Sequence, residues 1–266
     1  MTANRPLSAL LGATALSLHL ACGGSPDAAP EGTDPDGSGG LDVAVAANFT
    51  EVAHRLAEAF TSSSGVEVRI AVGSTGGLTS QILSGAPYHL FLAADTLRPA
   101  RLEAEGAAVP GSRLTYAVGR LAVLAPARTD AWELPGLLLE PGIRAAWADP
   151  RTAPYGAAAV EVLERWGLSH LEGAVATSVA QSWQFARSGA VDAAFVSLAQ
   201  VAHDPPGEWR EVPDSLHAPV RQQAVLLRAG ENHPPALAFL ALLRSAPARD
   251  WIRAAGYGLE ESPDVD

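Results

Sequence analysis

The chain has 266 residues, a formal net charge of -11, a single cysteine and 18 basic residues, every one of them arginine. That balance argues against nucleic-acid binding, which relies on phosphate neutralisation by basic side chains. Without lysine there can be no Walker A loop, no Ser-x-x-Lys acyl enzyme and no Schiff base. No G-x-S-x-G elbow or H-E-x-x-H pair occurs either, so neither a serine hydrolase nor a zinc centre is expected.

Arg5 precedes an apolar run, Leu7 to Ala21, free of acidic residues. A short basic start, an apolar stretch of this length and a small residue at its end predict a secretory signal over residues 1–21. A membrane-spanning helix would need about 20 uninterrupted apolar residues. The lone Cys22 follows at once and can form no intramolecular disulfide, so it reads as a lipid-attachment site. His19 stands where lipoprotein signals usually carry leucine. Residues 22–40 then hold no large apolar side chain and predict a flexible acidic linker, with a reach of roughly 20–25 Å.

From residue 41 the chain alternates short apolar runs with amphipathic segments, the pattern of a parallel α/β architecture. Val43 to Ala47 predicts a buried strand, and Val52, Ala53, Leu56, Ala57 and Phe60 a helix that ends at Ser64-Gly65. Val66 to Val72 predicts a second strand, Leu78, Ile82 and Leu83 a second helix, and Leu90 to Ala93 a third strand. Tyr116 to Leu124 reads as one further strand, crossing into a second lobe. That lobe is expected to hold strands at Ile143–Ala148, Ala174–Ser178 and Ala193–Ser197, with helices at Tyr155–Trp166 and Val179–Ser188. The Pro-rich stretch 204–219 reads as the return hinge, Arg221 to Arg228 as a strand of the first lobe, and 236–245 and 247–255 as closing helices stopped by Gly256. The division expected is lobe I over 41–121 plus 218–258, lobe II over 122–217, and a flexible tail over 259–266.

Four strand-to-helix corners share one chemistry: Ala47-Asn48-Phe49, Gly73 to Gly77, Ala153 to Gly156 and Thr177-Ser178-Val179. Exposed N–H groups at a helix start, with about half a positive charge from the macrodipole, favour an anion. In open α/β sheets ligands bind outside the carboxyl ends of the strands. Each corner also has a plain structural reading. Asn48 to Glu51 is equally a capping box, Gly73 to Gly77 a tight turn, and Tyr155 a packed tyrosine. Val179 can offer only its backbone N–H.

The segments VAVAANFTEVAHRLAEAF, VGSTGGLTSQILSGAPYHLFLAADTLRPARLEAEG, PGSRLTYAVGRLAV, DPRTAPYGAAAVEVL, SVAQSWQFARSGAVDAAFVSLAQ and AAGYGL resemble, in order, the periplasmic molybdate-binding proteins of ABC transporters. The resemblance runs from about residue 41 to 258 and implies a type 2 periplasmic-binding-protein fold, two α/β lobes joined by a hinge with a ligand cleft between them. It implies a binding protein rather than an enzyme, with no cofactor and molybdate or tungstate as ligand. The expected partner is an ABC permease; membrane contact is expected only through the N-terminal lipid, and the chain is expected to be a monomer. Carried over, the oxyanion is met by the Ala47 backbone, the Asn48 side chain and backbone, Thr75 with Ser74 beside it, the Tyr155 hydroxyl and the Val179 N–H. Some members of the family have a serine at the Asn48 position and a tyrosine at the Ser197 position; this chain resembles the subgroup that takes its tyrosine from the APYG segment. A binder of another small oxyanion such as sulfate or phosphate is the alternative on the same fold, with an enzyme on the same two-lobed scaffold ranked behind it.

Overall fold

The computed structural model of the chain describes residues 39–203 and 205–260. The signal, the Cys22 site, most of the linker and the end of the tail lie outside the described residues. Among those described, no helix is long and apolar enough to cross a membrane.

Two five-stranded sheets form the frame. The first is built from β1 (Leu41–Ala46), β2 (Val68–Gly73), β3 (Leu90–Ala93), β4 (Leu114–Gly119) and β10 (Val220–Leu226), in the order β2-β1-β3-β10-β4. The second holds β5 (Leu121–Ala125), β6 (Ala145–Ala148), β7 (Gly173–Ala176), β8 (Ala193–Ser197) and β9 (Glu208–Glu211), in the order β7-β6-β8-β5-β9. β1 runs parallel to β2 and β3, and β6 parallel to β7 and β8. In each sheet the antiparallel strand next to this trio is the one arriving from the other lobe: β10 beside β3, and β5 beside β8.

Both faces of each sheet are covered, which explains the continuous apolar runs. Val43 and Val45 of β1 pack with Phe49, Leu56 and Phe60 from the side of α1 (Thr50–Ser64). Ala44, between them, faces Leu78 and Ile82 of α2 (Thr75–Leu83). α6 (Pro234–Leu242) and α7 (Ala246–Ala254) close the α1 side through Phe239 and Ile252. In the second sheet α4 (Pro154–Arg165) covers one face and α5 (Val179–Arg187) the other.

Three features differ from the sequence reading. Tyr116 to Leu124 is not one strand. β4 ends at Gly119 and β5 starts at Leu121, each paired in its own sheet, so two apolar runs separated only by Gly119-Arg120 belong to different lobes. The stretch 204–219 is more than a hinge, because β9 lies within it and pairs with β5. A further helix, α3 (Leu97–Ala104), follows β3; its half-polar sequence buries only Pro99 and Leu102. The two crossovers are tied by Arg120, whose guanidinium donates to both carboxylate oxygens of Glu211 at 2.6 Å.

Phe49 is fully buried at the end of β1, with its ring 4.6 Å from that of Tyr116 and 5.4 Å from that of Tyr257. Phe49→Ala is expected to cost about 3–5 kcal/mol of unfolding free energy, a typical loss for a buried aromatic, read as a lower urea midpoint with an unchanged slope.

Candidate functional site

The strand ends of both sheets point at one another, and the helices that follow begin there. A cavity of about 10 Å³ is lined by Ala46, Ala47 and Asn48, by Gly73 to Thr75, by Ala153 to Tyr155, by Ser178 and Val179, and by Ala94. All four corners singled out in the sequence thus meet at one point. None of these lining residues is charged. Among the described residues no cluster of three or more metal-ligating side chains occurs.

Each corner has a clear local cause. Ser74 and Ser178 are N-caps: their hydroxyls accept from Gly77 N–H at 3.2 Å and Gln181 N–H at 3.3 Å. Capping satisfies the third N–H of each helix. It leaves the first ones, on Thr75 and Val179, without a helical acceptor and beside the cavity. Pro154 opens α4 without an N–H to satisfy and sets Tyr155 in its first turn. Ala47 opens a short 3-10 turn, Ala47–Phe49, that leads into α1.

The buried hydroxyls are oriented by what they already accept. Thr75 Oγ1 accepts from Ala94 N–H at 3.1 Å and has no acceptor for its own hydrogen among the described residues. Tyr155 Oη accepts from Ser197 Oγ and from Gln222 Nε2, each at 3.1 Å. Burial pushes the Tyr155 phenol far above its ordinary range, and its hydrogen bonds to Ser197 and Gln222 offset this only in part. Tyr116 and Tyr257, also buried, are raised for the same reason. The tyrosines at the site are therefore neutral donors at any working pH.

Asn48 departs from both of its sequence readings. It does not cap α1, whose N-cap is Phe49, without a side-chain bond. Nor is its amide nitrogen a free donor: Nδ2 is bonded to Gln222 Oε1 at 2.9 Å and to Tyr257 Oη at 3.1 Å. Asn48 can meet a ligand through its backbone, while its side chain braces the wall. Ser74 likewise has a structural duty as a cap.

Four residues of this network were absent from the residues carried over: Gln222, Tyr116, Tyr257 and Ser197. Gln222 left a legible trace. In β10 it occupies an inward position between Val220 and Ala224, and a fully buried amide there demands partners. Ser197 ends β8 within hydrogen-bond reach of Tyr155, so a tyrosine at position 197 or at position 155 can bring a hydroxyl to the same region.

The lobes touch directly at the cavity rim. Gly76 N–H donates to Thr152 O at 2.8 Å, and a β-carbon on Gly76 would lie 2.9 Å from Thr152 Cα. Arg98 donates to Arg151 O at 2.6 Å on the same rim. Gly119, at the end of β4, leaves room for the Tyr155 hydroxyl, which would stand 2.1 Å from any β-carbon there.

Residues 41–258 match the family model of the bacterial extracellular solute-binding proteins. The molybdate-binding protein ModA of Azotobacter vinelandii is 43% identical over 231 residues, covering 83% of this chain and 90% of that protein. ModA of Rhodobacter capsulatus is 41% identical over 232 residues, covering 85% and 91%. The solved structure of the Azotobacter vinelandii periplasmic molybdate-binding protein superimposes with a TM-score of 0.79 at 35% identity, covering 83% of this chain and all of that one. The chain belongs to the bacterial extracellular solute-binding proteins, within the family of the ModA molybdate-binding proteins.

Proposed function

We propose that the chain captures molybdate or tungstate outside the cytoplasm and delivers it to the permease of an ABC transporter. The observation that carries this reading is the cavity where four corners from two lobes converge on uncharged donors. The donors proposed are the Ala47 and Asn48 backbone, the Thr75 hydroxyl and N–H with Ser74 beside it, the Tyr155 hydroxyl, and the Val179 N–H. The similarity to two ModA proteins favours a metal oxyanion among the anions such a site could take.

Physical chemistry supports the same choice. An anion taken out of water is costly to bury unless its oxygens are satisfied. Hydrogen bonds to a charged group contribute about 1.5–3 kcal/mol each, so several fixed donors offset that cost. Donors alone reject a protonated phosphate, whose own O–H would face another donor. With a cavity of about 10 Å³, roughly the space of one water, the ligand must enter as the lobes part and hold them as they close. The lining residues offer hydroxyls, an amide and backbone but no acid–base pair, which supports binding rather than catalysis.

The remaining elements of the proposal follow the chain. Residues 1–21 would direct export, Cys22 would carry the lipid, and the segment to residue 40 would tether a monomer. Lobes over 41–121 with 218–258 and over 122–217 are supported by the sheet membership of β4, β9 and β10, and by β5 apart from its first residue, Leu121, which pairs in the second sheet.

Calorimetry on the mature protein is expected to give much tighter binding of molybdate and tungstate than of sulfate and phosphate. Equal affinities, or none, would sink the metal-oxyanion assignment. Tyr155→Phe is expected to weaken molybdate binding roughly 10- to 100-fold, the loss of one hydrogen bond to a charged group, and Asn48→Ala to weaken it by loosening the wall. Both variants should melt as folded proteins. If neither changes affinity, the site is misplaced.

The rim contact generates a separate expectation. Gly76→Ala places a methyl group against Thr152, so closure should be impaired and molybdate should leave faster. Stopped-flow dissociation is the measurement, and an unchanged off-rate would mean that the lobes hold the ligand without this contact.

A further inference from the structure

The hydrogen bonds around the Tyr155 hydroxyl run in one direction only, and that direction can be traced from a fixed end. Tyr257 has one hydroxyl hydrogen, and the backbone carbonyl of Asn48 takes it at 2.6 Å. The Tyr257 oxygen can then only accept from the Asn48 side chain, 3.1 Å away, which turns the amide nitrogen of Asn48 towards it. The second hydrogen of that nitrogen points at Gln222, 2.9 Å away, so Gln222 must present its oxygen there. Tyr116 Oη, 3.1 Å from the same oxygen, is compatible with that orientation. The nitrogen of Gln222 therefore faces Tyr155 Oη at 3.1 Å and donates to it.

Ser197 fills the other side. Its hydroxyl oxygen accepts the Gln200 N–H of a capping box, and its hydrogen goes to Tyr155 Oη at 3.1 Å. The phenol oxygen thus holds two donors, and its own hydrogen takes no acceptor among the described residues. Tyr155 lines the cavity, whereas Gln222 and Tyr257 do not.

We infer that Gln222 is a positioning residue for anion capture: it fixes the polarity of the Tyr155 hydroxyl so that its hydrogen is kept for the ligand. This rests on the oxyanion reading proposed above. Gln222 belongs to β10 of the first sheet and Tyr155 to α4 of the second, so the same bond joins the lobes close to Gly119. Gln222 is fully buried, and its amide meets Asn48, Tyr116 and Tyr155 at once. An apolar side chain of the same size would leave three polar groups without this partner. A carboxylate would serve Asn48 and Tyr116 equally well but would draw the Tyr155 hydrogen away from the cavity.

Gln222→Glu is therefore the informative variant, because its polarity can be reversed by pH. Above the pKa of a buried glutamate, which burial raises, the side chain only accepts, and Tyr155 turns from donor to acceptor. Below it, the protonated carboxyl again donates to Tyr155. The titratable groups facing position 222 are Tyr116, Tyr155 and Tyr257, all held neutral by burial. Molybdate calorimetry on Gln222→Glu is expected to show a loss of roughly 10- to 100-fold at about pH 9. Most of that loss should be recovered at about pH 5.5, while the wild-type affinity changes by less than about threefold. Wild-type affinity in the variant at high pH, or a loss of the same size at both pH values, overturns the inference.

Tyr257→Phe tests the chain at its other end without substituting Gln222 or any residue that lines the cavity, and it serves where the Gln222 variant does not fold. It should weaken molybdate binding in the wild-type background and add no more than about twofold in the Tyr155→Phe background, since both act through one hydroxyl. Independent, multiplying losses overturn the inference. A wild-type chain that takes up none of molybdate, tungstate, sulfate and phosphate removes the oxyanion reading itself, and the role of Gln222 with it.

Discussion

Two sheets that exchange strands must bring their carboxyl ends face to face, and the helices that follow those strands must start in the space between. Most of the site descends from this constraint. Once β1, β2, β6 and β7 end on the cavity, the first N–H groups of the elements that follow cannot avoid it. The crossing strands β5 and β10 then decide how far apart the two sets of donors stand. Gly119 and Gln222 lie beside those crossings, and both meet the Tyr155 hydroxyl. The hinge and the binding wall are therefore the same few residues.

Net charge and local chemistry pull in opposite directions here. A formal charge of -11 opposes an anion, yet surface charges separated from the cavity by more than about 8 Å are largely screened at physiological salt. What remains is the field of fixed dipoles at close range. Several arginines near the cleft are also neutralised where they stand, as Arg98 is by Asp95, Arg151 by Asp149 and Arg120 by Glu211. A neutral lining has a further consequence for release. A full salt bridge to the ligand would have to be broken each time the lobes part, whereas individual neutral hydrogen bonds can be exchanged for water one at a time.

The parts of the fold that were legible in the sequence are those whose signal is local. Ala193–Ser197 and Leu90–Ala93 were bounded to the residue because each is a short apolar run between polar breaks. The four corners were legible because small, hydroxyl-bearing and proline residues mark helix starts, although each alone is equally explained by capping, turning or packing. Long-range facts were not legible. Tyr116 to Leu124 is apolar except for Gly119-Arg120, and one glycine and one arginine do not by themselves mark a change of sheet; pairing with β10 on one side and β8 on the other distinguishes the halves. β9 was hidden because Glu208–Glu211 is an edge strand of charged residues and tryptophan, whose stability comes from its partner β5. The roles of Gln222 and Tyr257 depend on contacts with Asn48 across 174 and 209 positions of sequence, which no local pattern carries.

The direction of β1 adds a geometric point about the proposed tether. Ala46, at its carboxyl end, lines the cavity, and Leu41 stands five residues back. At a strand rise of about 3.3 Å per residue, the chain enters the lobe roughly 16 Å from the site. That entry point is held firmly. Leu41 N–H donates to Glu67 O at 2.8 Å, and the Gly39 carbonyl lies 3.1 Å from His233 Nε2. A linker ending at residue 40 would thus pull on the far end of the first sheet, along the strand and away from the cavity. An anchor at the proposed Cys22 site would then be compatible with capture, because the strand that brings Ala46 to the cavity, with Asn48 in the turn that follows, has its amino end on the far side of the lobe.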